Sequence, residues 1–116
     1  MTERLHEALD RVTRVRGVRG VLLVGLDDGL VVADAVMEGV RANAVAALAA
    51  SLVQRLARAT ATSGIGQPGF LHLEAERGAL LTLAVRERLM LVTVAEPGVN
   101  VGLVRLELLR AGAEVR

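Results

Sequence analysis

From Arg41 to Ser63 the chain runs without a glycine or proline and is dominated by alanine and leucine; no other segment constrains the fold so strongly. Alanine is the best intrinsic helix former, and the segment stops at Gly64, the residue type favoured in the left-handed position just past a helix end. One long helix is therefore predicted, and the pattern on both sides of it is that of strands. Before it, "GVLLVGL" (Gly20 to Leu26) is a continuous apolar run, and Asp27-Asp28-Gly29 turns it into "LVVADAV", a hairpin. After it come "FLHLEAE", a turn at Arg77-Gly78, "ALLTLAVR", a turn at Glu87-Arg88, and "LMLVTVAE", which Pro97-Gly98 terminates.

Helical periodicity returns at both ends. Leu5, Ala8, Leu9 and Val12 recur on one stripe after a Thr2 cap and before Gly17. At the other end Asn100 caps a helix with Val101, Val104 and Leu108 on one stripe, Leu103, Leu106 and Leu109 beside it, and Arg110 and Arg116 suited to its C-terminal end. The expected order is αββαβββα in one domain spanning 1–116. Hairpin links imply an antiparallel sheet, and strands this apolar imply helices over both of its faces.

Gly64, Gly66 and Gly69 fall at the G-x-G-x-x-G spacing of a dinucleotide loop. That chemistry needs a strand entering the glycines and a helix leaving them, so that backbone N–H groups and the positive helix end converge on phosphate. Here a helix enters and a strand leaves. The glycines are expected to be a helix stop and a connection.

Composition removes several classes of function. The charged residues nearly cancel at +1, and Phe70 is the only aromatic, so neither the basic stripe nor the stacking platforms of a nucleic-acid binder are present. Every basic residue is Arg, which excludes a P-loop lysine and Schiff-base chemistry; the absence of Cys excludes disulfides and thiolate sites. The N-terminal segment is charged throughout and no apolar run is long enough to span a bilayer, which predicts a cytoplasmic protein without membrane insertion.

No catalytic constellation or cofactor site is expected. His6 and His72 have no partner ligands at metal spacing, Ser51 and Ser63 lie in or at the end of a helix without a nucleophile elbow, and Asp27-Asp28 is ordinary turn chemistry. Metal and cofactor are both expected to be absent, and the chain is expected not to be an enzyme.

On a helical wheel Val45, Leu48, Leu52, Leu56 and Ala59 form one side of the long helix, the expected core stripe. Ala46, Ala50, Val53 and Ala57 form a second, small-residue arc suited to close approach by another helix, and Gln54, Arg55 and Arg58 lie on the polar remainder. If "FLHLEAE" is a sheet edge, no Pro or Lys within it guards against pairing with a second copy. A two-fold axis through Leu73 would set His72 opposite the partner's Glu74. The expected homodimer interface is thus Ala46, Ala50, Val53, Ala57, Phe70, His72, Leu73 and Glu74.

The stretch "VRGVRGVLLVGLDDGLVVADAV", the long Ala-rich helix, three strands and "NVGLVRLELLRAG" together resemble the Roadblock family, in particular its bacterial and archaeal members. Gly17, Val18 and Gly20 entering the first strand, Asp28-Gly29, and Asn100, Gly102 and Leu103 carry the resemblance. It implies an α+β fold, a five-stranded antiparallel sheet with the long helix on one face and the two terminal helices on the other. It also implies homodimers joined through the long helix and third strand, acting as non-catalytic platforms that bind small Ras-like GTPases and modulate their nucleotide cycle. Gln54, Arg55 and Arg58 are the partner-binding candidates. The sequence ends at Arg116, just past the last helix, which in this reading leaves no C-terminal extension to add contacts. A structural adaptor without nucleotide control, or a small-molecule sensor with a pocket between helix and sheet, remain the alternatives.

Overall fold

The alternation of apolar strands and amphipathic helices resolves, in a computed structural model that describes residues 2–86 and 88–115, into α1 (Thr2–Thr13), β1 (Val18–Gly25), β2 (Val31–Val36), α2 (Ala42–Thr62), β3 (Phe70–Ala75), β4 (Gly78–Ala84), β5 (Leu89–Ala95) and α3 (Val101–Gly112). The capping side chain of Thr2, Glu87 of the last hairpin, and Arg116 lie outside the described residues. Helix α1 stops earlier than Gly17. Thr13 Oγ1 donates back to the Asp10 carbonyl at 2.7 Å, and successive turns at Val15 and Val18 carry the chain into β1.

The strands form one antiparallel sheet in the order β2-β1-β5-β4-β3, so β2 and β3 are its edges. The three inner strands are buried almost throughout, as their unbroken apolar sequences require. Helices α1 and α3 cover one face, where Leu9, Val12, Val21, Leu81, Leu91, Val104 and Leu108 pack together. Helix α2 alone covers the other, over Leu22, Val24, Leu80, Met90 and Val92. This is an α+β fold with two apolar layers.

Two sequence motifs acquire physical reasons. A Cβ on Gly20 would sit 2.8 Å from Val36 Cγ1 and 3.2 Å from Val36 Cα, so β1 and β2 can approach closely only because this position has no side chain. Asn100 caps α3, its Oδ1 accepting from the Leu103 N–H at 3.0 Å.

The 64–69 glycines behave as the element order predicts. Gly64 has φ +81°, the left-handed turn that ends α2, and its N–H donates to Ala61 O while those of Ser63 and Ile65 donate to Ala59 O and Thr60 O. These amides are consumed by helix carbonyls at the negative end of the dipole, so they cannot converge on an anion.

Candidate protein-docking surface

Helix α2 determines which side chains a partner could touch, and it is rotated from the wheel's assignment: Val45 and Leu52 of the expected core stripe pack against the core, but Leu48 and Ala59 are exposed. Ala46, Ala49, Ala50 and Val53 are its buried residues, packed on the sheet, while Leu48 is 57% exposed and Val45, Leu52 and Leu56 are half-buried. Ala46, Ala50 and Val53, expected to meet a second helix, face their own sheet instead; Ala57 beside them is half-buried. The reason is volume. The sheet contributes Leu22, Leu80, Met90 and Val92 to this layer, and small residues at the centre of the helix face let it settle onto side chains of that size. The signal lay in the strands: their bulk on this face, read together with the helix, would have placed the alanines inward.

The displaced leucines therefore form the open flank of α2, and this flank lies on the side of β3. Val45 and Leu48 from the helix, Leu73 and Ala75 from β3, and Leu80 and Val94 from the inner strands border one shallow apolar depression, with Arg19 and Arg77 at its margin. Leu73 is 44% exposed. The expected edge position of β3 holds, with Phe70↔Leu83 through Ala75↔Gly78 pairing only its β4 side.

Strand alternation sets Leu73 on the α2 face and the remaining β3 candidates, Phe70, His72 and Glu74, on the other. Leu71 packs into the α2 layer, whereas Phe70 packs into the α1/α3 layer, where the Arg105 guanidinium of α3 stacks 5.3 Å from its ring centre. His72 and Glu74 share the Phe70 side and are exposed, with Nε2 of His72 4.0 Å from Oε1 of Glu74 within one chain.

The polar stripe also divides. Gln54 is structural: its Nε2 donates to Leu26 O at 2.6 Å and to Asp27 O at 3.3 Å, pinning α2 to the β1–β2 turn. Arg55 and Arg58 are exposed, and their side chains have no partner among the described residues. Below Gln54, Arg88 of the β4–β5 turn grips Asp27: Nε donates to Oδ1 and Oδ2 at 2.7 Å each, and Nη2 also meets Oδ1. Hydrogen bonding from Arg88, supported by its positive charge, holds the Asp27 carboxyl below the ordinary carboxylate range. Arg88 itself adopts φ +64°.

Among the described residues no group of three or more His, Asp or Glu side chains could hold a metal ion, and no helix is long and apolar enough to cross a membrane. What this fold presents is a surface: a leucine flank, an open strand edge and two unpaired arginines.

A two-layered α+β domain of this topology defines a class, and residues 4–95 match the Roadblock/LC7 domain model. The chain belongs to the Roadblock/LC7 family. It is 31% identical over 112 residues to the uncharacterized protein MJ1340 of Methanocaldococcus jannaschii, covering 97% of this chain and 96% of that protein. Among solved structures it is similar to Myxococcus xanthus MglB, at 23% identity and a TM-score of 0.84, over 97% of this chain and 91% of that one. It is also similar to an MglB described as having a tetrameric arrangement, at 25% identity and a TM-score of 0.87, over 97% and 85% of the two chains. The likeness to MglB is one of fold.

Proposed function

We propose that the chain acts as a homodimeric platform that docks a small Ras-like GTPase and modulates its nucleotide cycle, without chemistry of its own. The observation that carries this reading is the coincidence of an uncovered leucine flank on α2 with an unpaired edge strand beside it. An exposed apolar surface next to unpaired backbone donors and acceptors is a place for a second copy, which meets both needs at once. Antiparallel pairing of β3 about Leu73 extends the sheet, sets His72 opposite the partner's Glu74 on one face and brings the two Leu48 flanks together on the other. The interface is therefore assigned to Leu48, Leu52, Leu56 and Leu73 rather than to the alanine arc.

Such a dimer places two copies of Arg55 and Arg58 on one outward surface. These arginines suit the acidic side chains or phosphate-bearing surface of a nucleotide-binding partner. Membership of the Roadblock/LC7 family supports the reading, as does the likeness to MglB.

The test is a pull-down with purified small Ras-like GTPases, each loaded with GDP or with a GTP analogue. Binding that prefers one nucleotide state, and that weakens in Arg55→Glu/Arg58→Glu, is expected. Binding indifferent to nucleotide would instead support an adaptor, and absence of binding in both states would overturn the proposal.

A further inference from the structure

The geometry points to a small-molecule site under the C-terminal half of α2, shaped for a compact apolar ligand carrying one carboxylate. The site is separate from the leucine flank and goes beyond the docking reading.

It arises from how α2 leaves the sheet. The last buried residue of the helix is Val53, yet the helix continues to Thr62, an overhang of about 13 Å at the usual rise per residue. Under that overhang lies a cavity of about 190 Å³, roofed by Val53 and Ala57, floored by Thr82, Ala84 and Met90, and closed at its ends by the α2–β3 loop and the β4–β5 turn. Small residues create the space: Ala57 above, Ala84 below and Gly69 in the loop leave unfilled what larger side chains would occupy. An apolar cavity of about 150 Å³ in another protein is enough to hold benzene, so this volume admits one substituted ring or a branched chain of similar size.

Charge selects among such molecules. Among the described residues, Arg88 is the only charged one lining the cavity. Its Nε and Nη2 are engaged by Asp27, which leaves Nη1 without a partner among the described residues. Its left-handed backbone is unusual for a long side chain, and such strain is commonly retained at ligand clamps. Asp27 fixes the guanidinium plane at the cavity mouth, and a carboxylate entering behind an apolar body would meet Nη1 there.

The chain offers its own reporter. Met90 is buried in the cavity floor, whereas Met37 is exposed on the far side of the sheet, beyond β2. With carbon-13 methyl-labelled methionine, millimolar phenylacetate is expected to shift the Met90 signal in a saturable way and leave Met37 unmoved. Acetate should do nothing. Ala57→Leu, which fills the roof, should abolish the shift while the protein stays folded, and Ala84→Leu does the same from the floor should the helix variant fail to fold. Arg88→Gln should weaken phenylacetate by about three-fold, because the guanidinium is largely exposed, and leave toluene unaffected. A Met90 signal unmoved by both probes, or moved equally in the filled variants, would overturn the site. Toluene binding without phenylacetate binding, or Arg88→Gln binding phenylacetate as tightly as the parent, would overturn the carboxylate assignment.

Discussion

Replacing Leu48 by glutamate tests whether the open flank of α2 is where two copies meet. The side chain is 57% exposed in a single chain, so Leu48→Glu takes little from the core of the protomer. Covering it in a dimer is another matter. Full burial of a leucine contributes ~1.5–3 kcal/mol, and a little over half of that remains to be gained at this position, so about 1–2 kcal/mol per copy and ~2–4 for the symmetric pair. The glutamate must also be desolvated against Leu73 and Val45, which adds several kcal/mol if the interface still closes. A total of at least ~4 kcal/mol corresponds to about a thousand-fold weaker dimer. Sedimentation equilibrium over a concentration series, with circular dichroism to verify helix content, is the assay; the variant should be a folded monomer where the parent is a dimer. Val53→Glu supplies the contrast. Val53 is 8% exposed and faces Met90 and Val92, so its replacement should destroy the fold rather than the dimer. An intact Leu48→Glu dimer beside a folded, monomeric Val53→Glu would show that the partner surface is the alanine arc, and would refute the argument from packing volume.

Three further outcomes follow from individual contacts. Gln54→Ala removes both hydrogen bonds from α2 to the β1–β2 turn and should cost about 1 kcal/mol, seen as a lower urea midpoint at unchanged slope. Thr93 is fully buried between β1 and β4 with no partner for its Oγ1 among the described residues; Thr93→Val keeps the shape and should raise stability by about 1 kcal/mol, read from the same titration. The Asp27 carboxyl is held low in the folded chain by Arg88, so its contribution is present above the unfolded value of about 3.9 and is lost as pH falls through the folded one. Stability of the parent should therefore decline more steeply than that of Asp27→Asn in that acid window, and parallel curves would show that the pair adds nothing.

The sequence determined the elements well because each carries a local signal. Gly64 ended α2 through a left-handed turn, Asn100 capped α3 through its side chain, and the apolar continuity of β1, β4 and β5 demanded cover on both faces. Even the helix-before-glycine order, enough to dismiss a phosphate loop, needed no more than neighbouring residues. The roles of Gln54 and Arg88 were not legible in this way. Gln54 reaches a carbonyl 28 residues away, and Arg88 a carboxylate 61 residues away; no periodicity within α2 or the last hairpin records either.

The orientation of α2 shows what a wheel leaves open. Both arcs of this helix are apolar, so hydrophobicity alone cannot choose which turns inward, and ranking by size selects the leucines. Packing asks a different question: which arc complements the surface beneath it. On a face already filled by Leu22, Leu80, Met90 and Val92, inward leucines would hold the helix away from the sheet, and alanines let it settle. The larger residues are then left at the margin, next to an edge strand that also lacks a partner. The same small residues leave room under the far end of the helix, where Ala57 stands above Met90 across a cavity. Leucine flank and cavity thus share one cause, the choice of small side chains on the inner face of α2. Enlarging that face should therefore act according to what lies beneath each position: Ala50→Leu lifts the helix and disturbs the flank, whereas Ala57→Leu, placed over empty space, fills the cavity and leaves the flank where it is.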